Sequence, residues 1–258
     1  LVAVLAVPYL LVIGGRTKVA VLLRSLAVQG SWNYETLTGT GFGFAILPAL
    51  REIYRDPAAL EAAVRRHERP FNSHPYLAPL ALGAVIRLES EGADPDVIDR
   101  FKTALRGSLG TLGDQLVWAG LRPLCLLVAM ALVLLGTPWW GAVLAFLCLY
   151  NAVHLALMVW GFNVGLEQGL RVAERLRHAV MNRIQPQVMA AGAFAAGVVI
   201  ALVLSRGVPA AGDPGWIWSG IALVGVAGGA VWGWTARRAG VAGAALLALV
   251  GLLAGVAA

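Results

Sequence analysis

Four or five apolar segments of about twenty residues dominate the second half of this 258-residue chain. An α-helix needs about twenty residues to cross the hydrocarbon of a bilayer, so each segment is long enough to span it. The composition agrees, because 59% of the residues are apolar and only 13% are charged, which is more apolar surface than one soluble core can hide. These segments predict an integral membrane protein, and they are Val117 to Leu135, Trp139 to Phe162, Val188 to Ser205, Trp216 to Trp234 and Ala239 to Ala258.

The predicted fold is an all-α, multi-helix membrane bundle with amphipathic interfacial helices and re-entrant or broken helices. The 31 glycines favour helices that approach one another closely. Close packing matters in lipid because the hydrophobic effect does not drive apolar helices together there. Residues 1–18 form an apolar N-terminal segment of uncertain role: a signal-like stretch, an interfacial helix or an artefact of the chosen start. Residues 19–115 form an amphipathic and re-entrant region with cytoplasmic charged helices, and residues 116–258 form the transmembrane helical region.

Between Arg51 and Arg106 the chain changes character, with nine basic and nine acidic residues. Asp56-Pro57 and Asp94-Pro95 each predict a helix start, with aspartate as the N-cap and proline at the first helical position. The second helix is amphipathic, and its pattern puts Lys102 on the polar side. Before this region, Val19 to Val28 predicts a short helix that lies along the membrane surface.

The distribution of arginines predicts the topology, because positive loops favour the cytoplasm. Two connections are basic, around residues 171–183 and at Arg237-Arg238, whereas Arg206 to Gly215 holds one arginine and one aspartate. We therefore expect the first two connections in the cytoplasm and the third outside. The net charge of +6 is explained by these loops, so nucleic acid is not an expected partner.

Several site types are not supported by the sequence. Cys125 and Cys148 lie in apolar runs, which indicates small buried residues with no disulfide or metal role. The four histidines, His67, His74, His154 and His178, lack metal-ligand spacing. The glycine pattern from Gly39 to Gly43 has no preceding strand, so it predicts close helix packing and not a nucleotide site. We expect no metal, no cofactor and no catalytic residue.

Four stretches carry polar groups where apolar ones would cost less. The first, Trp32 to Glu35, is either an interfacial aromatic belt whose Asn and Glu cap the next helix, or part of a binding site. The second, Phe71 to Pro75, is either a turn in which Asn72 or Ser73 caps a helix, or again a site. Asn151 and His154 also share a helix face, where helix-to-helix hydrogen bonding is one explanation.

The third stretch, Gly110 to Gln115, breaks an otherwise apolar approach to the membrane. Backbone breaks and carboxylates at membrane depth require protein or a water-filled cavity around them, so a re-entrant hairpin or discontinuous helix is expected at Asp114. The fourth stretch contains Arg122 and Pro123. Arg122 either pairs with Asp114 or extends to the cytoplasmic interface.

Three longer sequence words that contain these four stretches, taken in order, resemble a known family. The matching words are "LLRSLAVQGSWNYETLTGTGFGFAILPALREIY", "AAVRRHERPFNSHPYLAPLALGAVIRLE" and "GSLGTLGDQLVWAGLRP". They resemble the IID subunit of the mannose/fructose/sorbose family of the phosphoenolpyruvate-dependent sugar phosphotransferase system (PTS). Several matching words in one order are more specific than any single motif.

The resemblance implies a non-catalytic, multi-pass subunit of the bacterial cytoplasmic (inner) membrane. In this family IID pairs with a IIC membrane subunit to translocate a hexose-type sugar, and soluble IIA and IIB phosphocarriers supply phosphate. The resemblance also implies a trimer of IIC-IID pairs in the lipid bilayer. A membrane receptor or regulatory subunit of an incomplete PTS is the alternative function.

The resemblance also carries residue roles onto this sequence. Substrate-binding or passage-lining residues are expected at Asn33, Tyr34, Glu35, Asn72, His74 and Asp114, and structural roles at Trp32, Phe71, Pro75, Gly113, Arg122 and Pro123. Amides and carboxylates beside aromatic faces suit a neutral ligand ringed with hydroxyls. The chain departs from the family at His154 and Met158, where arginines are usual.

Overall fold

The computed structural model describes residues 13–172 and 184–207, with side chains described as far as residue 203. Within these ranges the chain is helical, and its extended contacts are isolated bridges. The described elements are α1 (Gly15–Ser25), α2 (Gly39–Ile53), α3 (Pro57–His67), α4 (Ala78–Ser90), α5 (Pro95–Gly113), a π-helical segment (Asp114–Leu121), α6 (Arg122–Leu134), α7 (Trp139–Gln168), a 3-10 turn (Gly169–Arg171) and α8 (Gln185–Gly207).

Three described helical stretches are long and apolar enough to cross a membrane, at Pro95–Leu134, Trp139–Arg171 and Gln185–Val203. They confirm the all-helical membrane class and match the first three predicted segments. The predicted segments at 216–234 and 239–258 lie outside the described residues, as do residues 1–12, so the count of about five remains a prediction. The predicted surface helix corresponds to α1, which leaves Val19, Leu23 and Leu26 exposed.

The described chain divides into two compact units. The first comprises residues 13–116 and 151–172, and the second comprises residues 117–150 and 184–207. The first unit therefore combines α1 to α5 with the second half of α7. The second unit contains α6, the first half of α7 and α8.

Glycines let α4 and the second half of α7 pack backbone to backbone in the first unit. A Cβ atom on Gly83 would lie 2.2 Å from the Phe162 carbonyl oxygen, and one on Gly165 would lie 2.3 Å from the Leu80 carbonyl oxygen. Nearly all of α4 is buried as a result, from Ala78 to Ile86 without interruption. The packing agrees with the role of small residues between membrane helices.

The glycine pattern at the start of α2 also serves packing. A Cβ on Gly39 would lie 2.4 Å from the Arg69 carbonyl oxygen, and one on Gly41 would lie 2.0 Å from the Val28 carbonyl oxygen. Larger residues at these two positions would force neighbouring backbone to move. The close-packing interpretation of this stretch is therefore confirmed.

Both predicted helix starts are present. The Asp56 carboxylate accepts from the Ala59 N–H at 2.8 Å at the start of α3, and the Asp94 carboxylate accepts from the Asp96 N–H at 2.8 Å at the start of α5.

The prediction that Lys102 lies on the polar side of α5 was wrong, because its side chain is buried. Its Nζ donates to the carbonyls of Arg66 and His67 at the end of α3, where such carbonyls lack helical partners.

The predicted break near Asp114 takes the form of a wider helix and not of a re-entrant hairpin. The backbone continues from α5 through the π-helical segment into α6. Pro123 explains the change, because it has no N–H and its ring would collide with the carbonyl four residues earlier in an α-helix. A π-helical segment before the proline relieves that collision.

The second unit is built mainly by α6 packing against α8. Cys125 is buried on α6 as predicted, whereas the prediction of burial is wrong for Cys148, which is exposed on α7; both are free thiols. Large apolar side chains on these helices remain exposed, among them Leu126, Met130 and Phe194. Such outward apolar surface is what a lipid-facing helix presents.

Candidate functional site

Asn33 folds the loop before α2 into a closed turn. Its Oδ1 accepts from the backbone N–H groups of Glu35 and Thr36 at 2.9 and 2.8 Å, and its Nδ2 donates to the Ser31 carbonyl and the Thr36 hydroxyl at 3.2 and 2.8 Å. The amide thus uses both donors and both acceptor positions inside the loop. Since α2 begins at Gly39 without a side-chain cap, the expectation that Asn33 or Glu35 caps that helix is wrong.

The turn leaves three side chains accessible. Tyr34 is 89% exposed and Trp32 is 48% exposed, and their rings meet edge to face with centroids 4.9 Å apart. Glu35 is also exposed and forms no ion pair within the described ranges. This loop can therefore meet a ligand or a second protein through an aromatic pair and a carboxylate.

Backbone hydrogen bonds join this loop to the second motif. The Phe71 carbonyl accepts from both the N–H and the hydroxyl of Thr38, at 2.9 and 2.8 Å, and the Phe71 N–H donates to the Thr36 carbonyl at 3.2 Å. The Phe71 ring is buried against Phe42, with centroids 4.7 Å apart. Phe71 thus anchors the first two motifs to each other and to the core.

The second motif forms an irregular loop and not a helix cap. The N–H groups of Leu77 and Ala78 both donate to the His74 carbonyl, and α4 begins at Ala78. Asn72 and Ser73 lie too far upstream to cap α4, so that alternative is wrong, and Pro75 lies in the turn before the helix. Asn72 is exposed, whereas His74 is buried.

The third motif meets the second through a glycine. A Cβ atom on Gly113 would lie 2.0 Å from the Cβ of His74, so no other residue fits without movement of the loop. The next residue, Asp114, is exposed. Burial lowers the pKa of His74 to about 4, although the Asp114 carboxylate opposes that shift. His74 is therefore neutral at physiological pH, with Nδ1 accepting from the Tyr76 N–H at 3.2 Å.

Two aromatic side chains that the sequence did not assign to the site lie beside His74. The Tyr76 ring meets the His74 ring edge to face at 5.0 Å, and it stacks on His154 with centroids 3.5 Å apart. The sequence did mark His154 as a polar residue inside an apolar helix. Its stacking on Tyr76 depends on the packing of α7 against α4, which no local pattern reveals.

A buried charged cluster lies at the other end of α4 from these loops. Glu89 accepts hydrogen bonds from His67 Nε2 at 2.7 Å, from the Arg66 guanidinium at 2.8 Å and from the Tyr54 hydroxyl. Burial alone would raise the pKa of Glu89, but these donors outweigh it and lower the pKa to about 2. Glu89 lies eleven positions after Ala78, or about 16 Å along α4. The Phe42 ring packs against both His67 of the cluster and Phe71 of the second motif, with centroids 6.0 and 4.7 Å apart, so the cluster supports the core behind that motif.

The fourth predicted stretch belongs to the second unit. There the Arg122 guanidinium lies over the Trp118 ring, 5.2 Å from its centroid, a cation–π contact. Arg122 forms no ion pair in the described part of the chain. Pro123 acts on the backbone, as described above. Among the described residues no three histidine, cysteine or acidic side chains come together to hold a metal ion.

Comparison with known proteins identifies the family. Residues 13–213 match the family described as "PTS system mannose/fructose/sorbose family IID component". This chain is a IID component of that family. The mannose-specific EIID component of Escherichia coli K12 is 31% identical over 186 residues, covering 70% of this chain and 65% of the relative. The sorbose-specific EIID component of Klebsiella pneumoniae is 29% identical over 196 residues, covering 74% of this chain and 71% of the relative.

Solved structures resemble this IID component as well. One is a cryo-electron microscopy structure of the mannose transporter ManYZ with microcin E492, with a TM-score of 0.54 and 29% identity, covering 76% of this chain and 72% of the other. A second, described as a membrane protein, has a TM-score of 0.64 and 25% identity, covering 83% of this chain and 96% of the other. The match to the E. coli relative spans about two thirds of that protein's length.

Proposed function

We propose that this chain is the non-catalytic membrane subunit that, with a IIC subunit, forms the sugar-translocating unit of a mannose-family permease. Uptake is then coupled to phosphorylation by soluble IIA and IIB proteins, in a trimer of IIC-IID pairs in the bacterial inner membrane. The sugar is of hexose type. It passes a surface formed by the loops 31–38 and 71–77 and by the helix around Asp114.

The observation that carries this proposal is the convergence of three separate motifs in one unit. Phe71 is hydrogen-bonded to Thr36 and Thr38, which directly follow the first motif in the same loop, and His74 of the second motif lies against Gly113 of the third. Eighty residues separate the first motif from the last in the sequence. These hydrogen bonds and the close approach of Gly113 to His74 bring motifs that are distant in sequence onto one surface. Their proximity supports a single shared function.

The exposed groups on these motifs suit a sugar. Asn72 offers an amide that both donates and accepts, while Glu35 and Asp114 offer carboxylates that accept from hydroxyls. Tyr34 presents an aromatic face, and the neutral His74 is buried beside Gly113, next to Asp114 in the sequence. Asn33 contributes differently, because its amide is fully used in shaping the turn. Pyranose rings have both apolar faces and hydroxyl edges, and this mixture of groups matches both.

The histidines of the described chain support a non-catalytic role. A phosphocarrier histidine must be reached by the partner that donates phosphate to it. His67 and His74 are 0% and 2% exposed, respectively, and His154 is half-buried beneath Tyr76. Phosphate transfer to these imidazoles would require the unit to open.

The proposal is tested by expressing this chain with a IIC subunit and purifying the pair through a tag on this chain. We expect the two proteins to co-purify. A transported sugar at about one hundred times its Kd should then stabilise the complex by about 2.7 kcal/mol through mass action, measured as a rise in unfolding temperature. A non-transported polyol at the same concentration is the control.

Two matched variants refine this test. Asp114→Asn removes a carboxylate from the proposed passage, whereas Asp96→Asn removes an exposed carboxylate at the start of the same helix. Only the first should weaken the sugar-dependent stabilisation. A complex that forms normally but gains no stability from any hexose would favour the receptor or regulatory alternative, and failure to co-purify with IIC would contradict the proposal.

A further inference from the structure

A polar pocket of about 560 Å³ lies where α4 and α7 end in the first unit. Arg87 and Glu91 line it from α4, and Glu167, Gln168 and Arg171 line it from the end of α7 and the turn that follows. Its volume is that of a small-molecule site, but such sites are mostly apolar. The charged lining instead suits a ligand that carries charges of its own.

The turn after α7 keeps two opposite charges apart. Glu167 and Arg171 are four residues apart, a spacing at which a glutamate and an arginine usually pair on a helix. Here α7 ends at Gln168, and Gly169 has a φ of +50°, so the two side chains no longer lie one above the other. Within the described ranges neither residue has an ion-pair partner, whereas Arg87 and Glu91 are hydrogen-bonded at 2.5 Å.

The pocket lies at the end of a candidate membrane span. The stretch Trp139–Arg171 is long and apolar enough to cross a bilayer, and its charged residues, Glu167 and Arg171, lie at its end. We therefore expect these charges at headgroup level. The carbonyl ends of both α4 and α7 also point here, and helix carboxyl ends favour positive groups.

We propose that this pocket binds the headgroup of a zwitterionic phospholipid that carries a primary amine, such as phosphatidylethanolamine. Arg171 and the Gln168 amide bind the phosphate, and Glu167 and Glu91 accept hydrogen bonds from the ammonium group. A primary ammonium has three N–H donors, whereas a choline headgroup has none and a glycerol headgroup has no cation. The pocket should therefore prefer ethanolamine lipids to both. This proposal is independent of the IIC partner and of the sugar.

The test uses the full chain in nanodiscs of equal parts phosphatidylethanolamine, phosphatidylcholine and phosphatidylglycerol. Lipid retained after transfer to detergent is measured by native mass spectrometry. We expect phosphatidylethanolamine to be retained about five-fold over the other two, and Glu167→Gln and Arg171→Gln each to remove most of that preference. Arg171→Lys, which keeps the charge, should preserve it. Glu61→Gln and Arg100→Gln alter exposed charges outside the pocket and should have no effect.

A second arm separates a lipid from a soluble ligand of the same chemistry. Glycerophosphoethanolamine, added at millimolar concentration to the protein in detergent, should raise the unfolding temperature less than the intact lipid does. Equal stabilisation by the two would overturn the assignment of a lipid. Equal retention of ethanolamine and choline lipids by the wild-type chain, or a preference that survives both Glu167→Gln and Arg171→Gln, would overturn the proposed recognition.

Discussion

His67 shows how one buried side chain makes the first unit sensitive to acid. A carboxylate only accepts hydrogen bonds, so Nε2 of His67 must carry the proton that it donates to Glu89. Burial lowers the pKa of His67 to about 4, with the nearby Lys102 and Arg66 charges acting in the same direction and the Glu89 contact opposing it. The imidazole therefore stays neutral in the folded unit at physiological pH.

The stability of the protein should fall as pH drops below about 6.5. Unfolded His67 takes up a proton near pH 6.5, but folded His67 does so only near pH 4, so the unfolded state binds more protons between these values. His74 has the same depressed pKa and adds to the effect. Glu89 adds a further loss below about pH 4.5, because its folded pKa of about 2 requires the carboxylate to stay ionised.

This prediction is checked by measuring unfolding temperature from pH 7 to pH 4.5 in detergent. His67→Gln keeps an N–H donor for Glu89 but cannot titrate, so the slope should decrease by the contribution of one proton while that of His74 remains. A slope unchanged by His67→Gln would mean that His67 is already charged in the folded unit.

Among the helices, the contact between α5 and the loop before α4 depends on one glycine. Gly113 leaves no room for a Cβ atom beside His74, whereas Gly110, one turn earlier on the same helix, has nothing within 4 Å of the equivalent position. The two glycines therefore differ in whether the packing requires a residue without a Cβ atom. Gly113 is required by tertiary packing, and Gly110 costs helix stability without a packing benefit.

We expect Gly113→Ala to destabilise the first unit by about 1–3 kcal/mol, because the added methyl group forces the His74 loop to move. Gly110→Ala should be neutral or stabilising by up to about 1 kcal/mol, since alanine is the better helix former. Thermal unfolding of the two variants beside the wild type measures both effects. Equal stabilities for the two variants would contradict the described contact between the helix and the loop.

Local signals in the sequence predicted several elements well. Asp56-Pro57 and Asp94-Pro95 start helices because capping depends on a few neighbouring residues. Lys102 was placed wrongly, because a periodic pattern cannot foresee that its ammonium reaches carbonyls 35 and 36 residues away. The cluster around Glu89 was missed for the same reason. Its donors Arg66 and His67 lie on α3 and its donor Tyr54 follows α2, and each residue alone resembles an ordinary polar residue on a soluble surface.

The candidate site was predictable in its parts but not in its assembly. The motifs named nearly all of its residues through their resemblance to the family, yet the sequence could not assign Asn33 to turn formation. That role depends on four hydrogen bonds between the Asn33 side chain and residues two or three positions away in the same loop. Tyr76 was missed because its importance comes from stacking on His154, a residue from a helix 78 positions later.

At the scale of the whole molecule, the arginine distribution predicts the topology, because positive loops favour the cytoplasm. Single cysteines at Arg177 and Gly212, in a background that lacks Cys125 and Cys148, test it by labelling with a membrane-impermeant reagent in intact cells and in inverted vesicles. We expect position 212 to react in intact cells and position 177 to react in inverted vesicles. Reaction of both from the same side would contradict the predicted topology.

The central claim is that the converging motifs form a surface that contacts the sugar. It is tested most directly by sugar affinity in the purified complex with IIC, comparing Asn72→Ala with Asn163→Ala. Both asparagines are exposed in the first unit, but only Asn72 belongs to the motif surface. Loss of one hydrogen bond to a hydroxyl is worth about 0.5–1.5 kcal/mol, so Asn72→Ala should weaken binding about two- to twelve-fold. Asn163→Ala should bind as the wild type does, and wild-type affinity in both variants would contradict the claim.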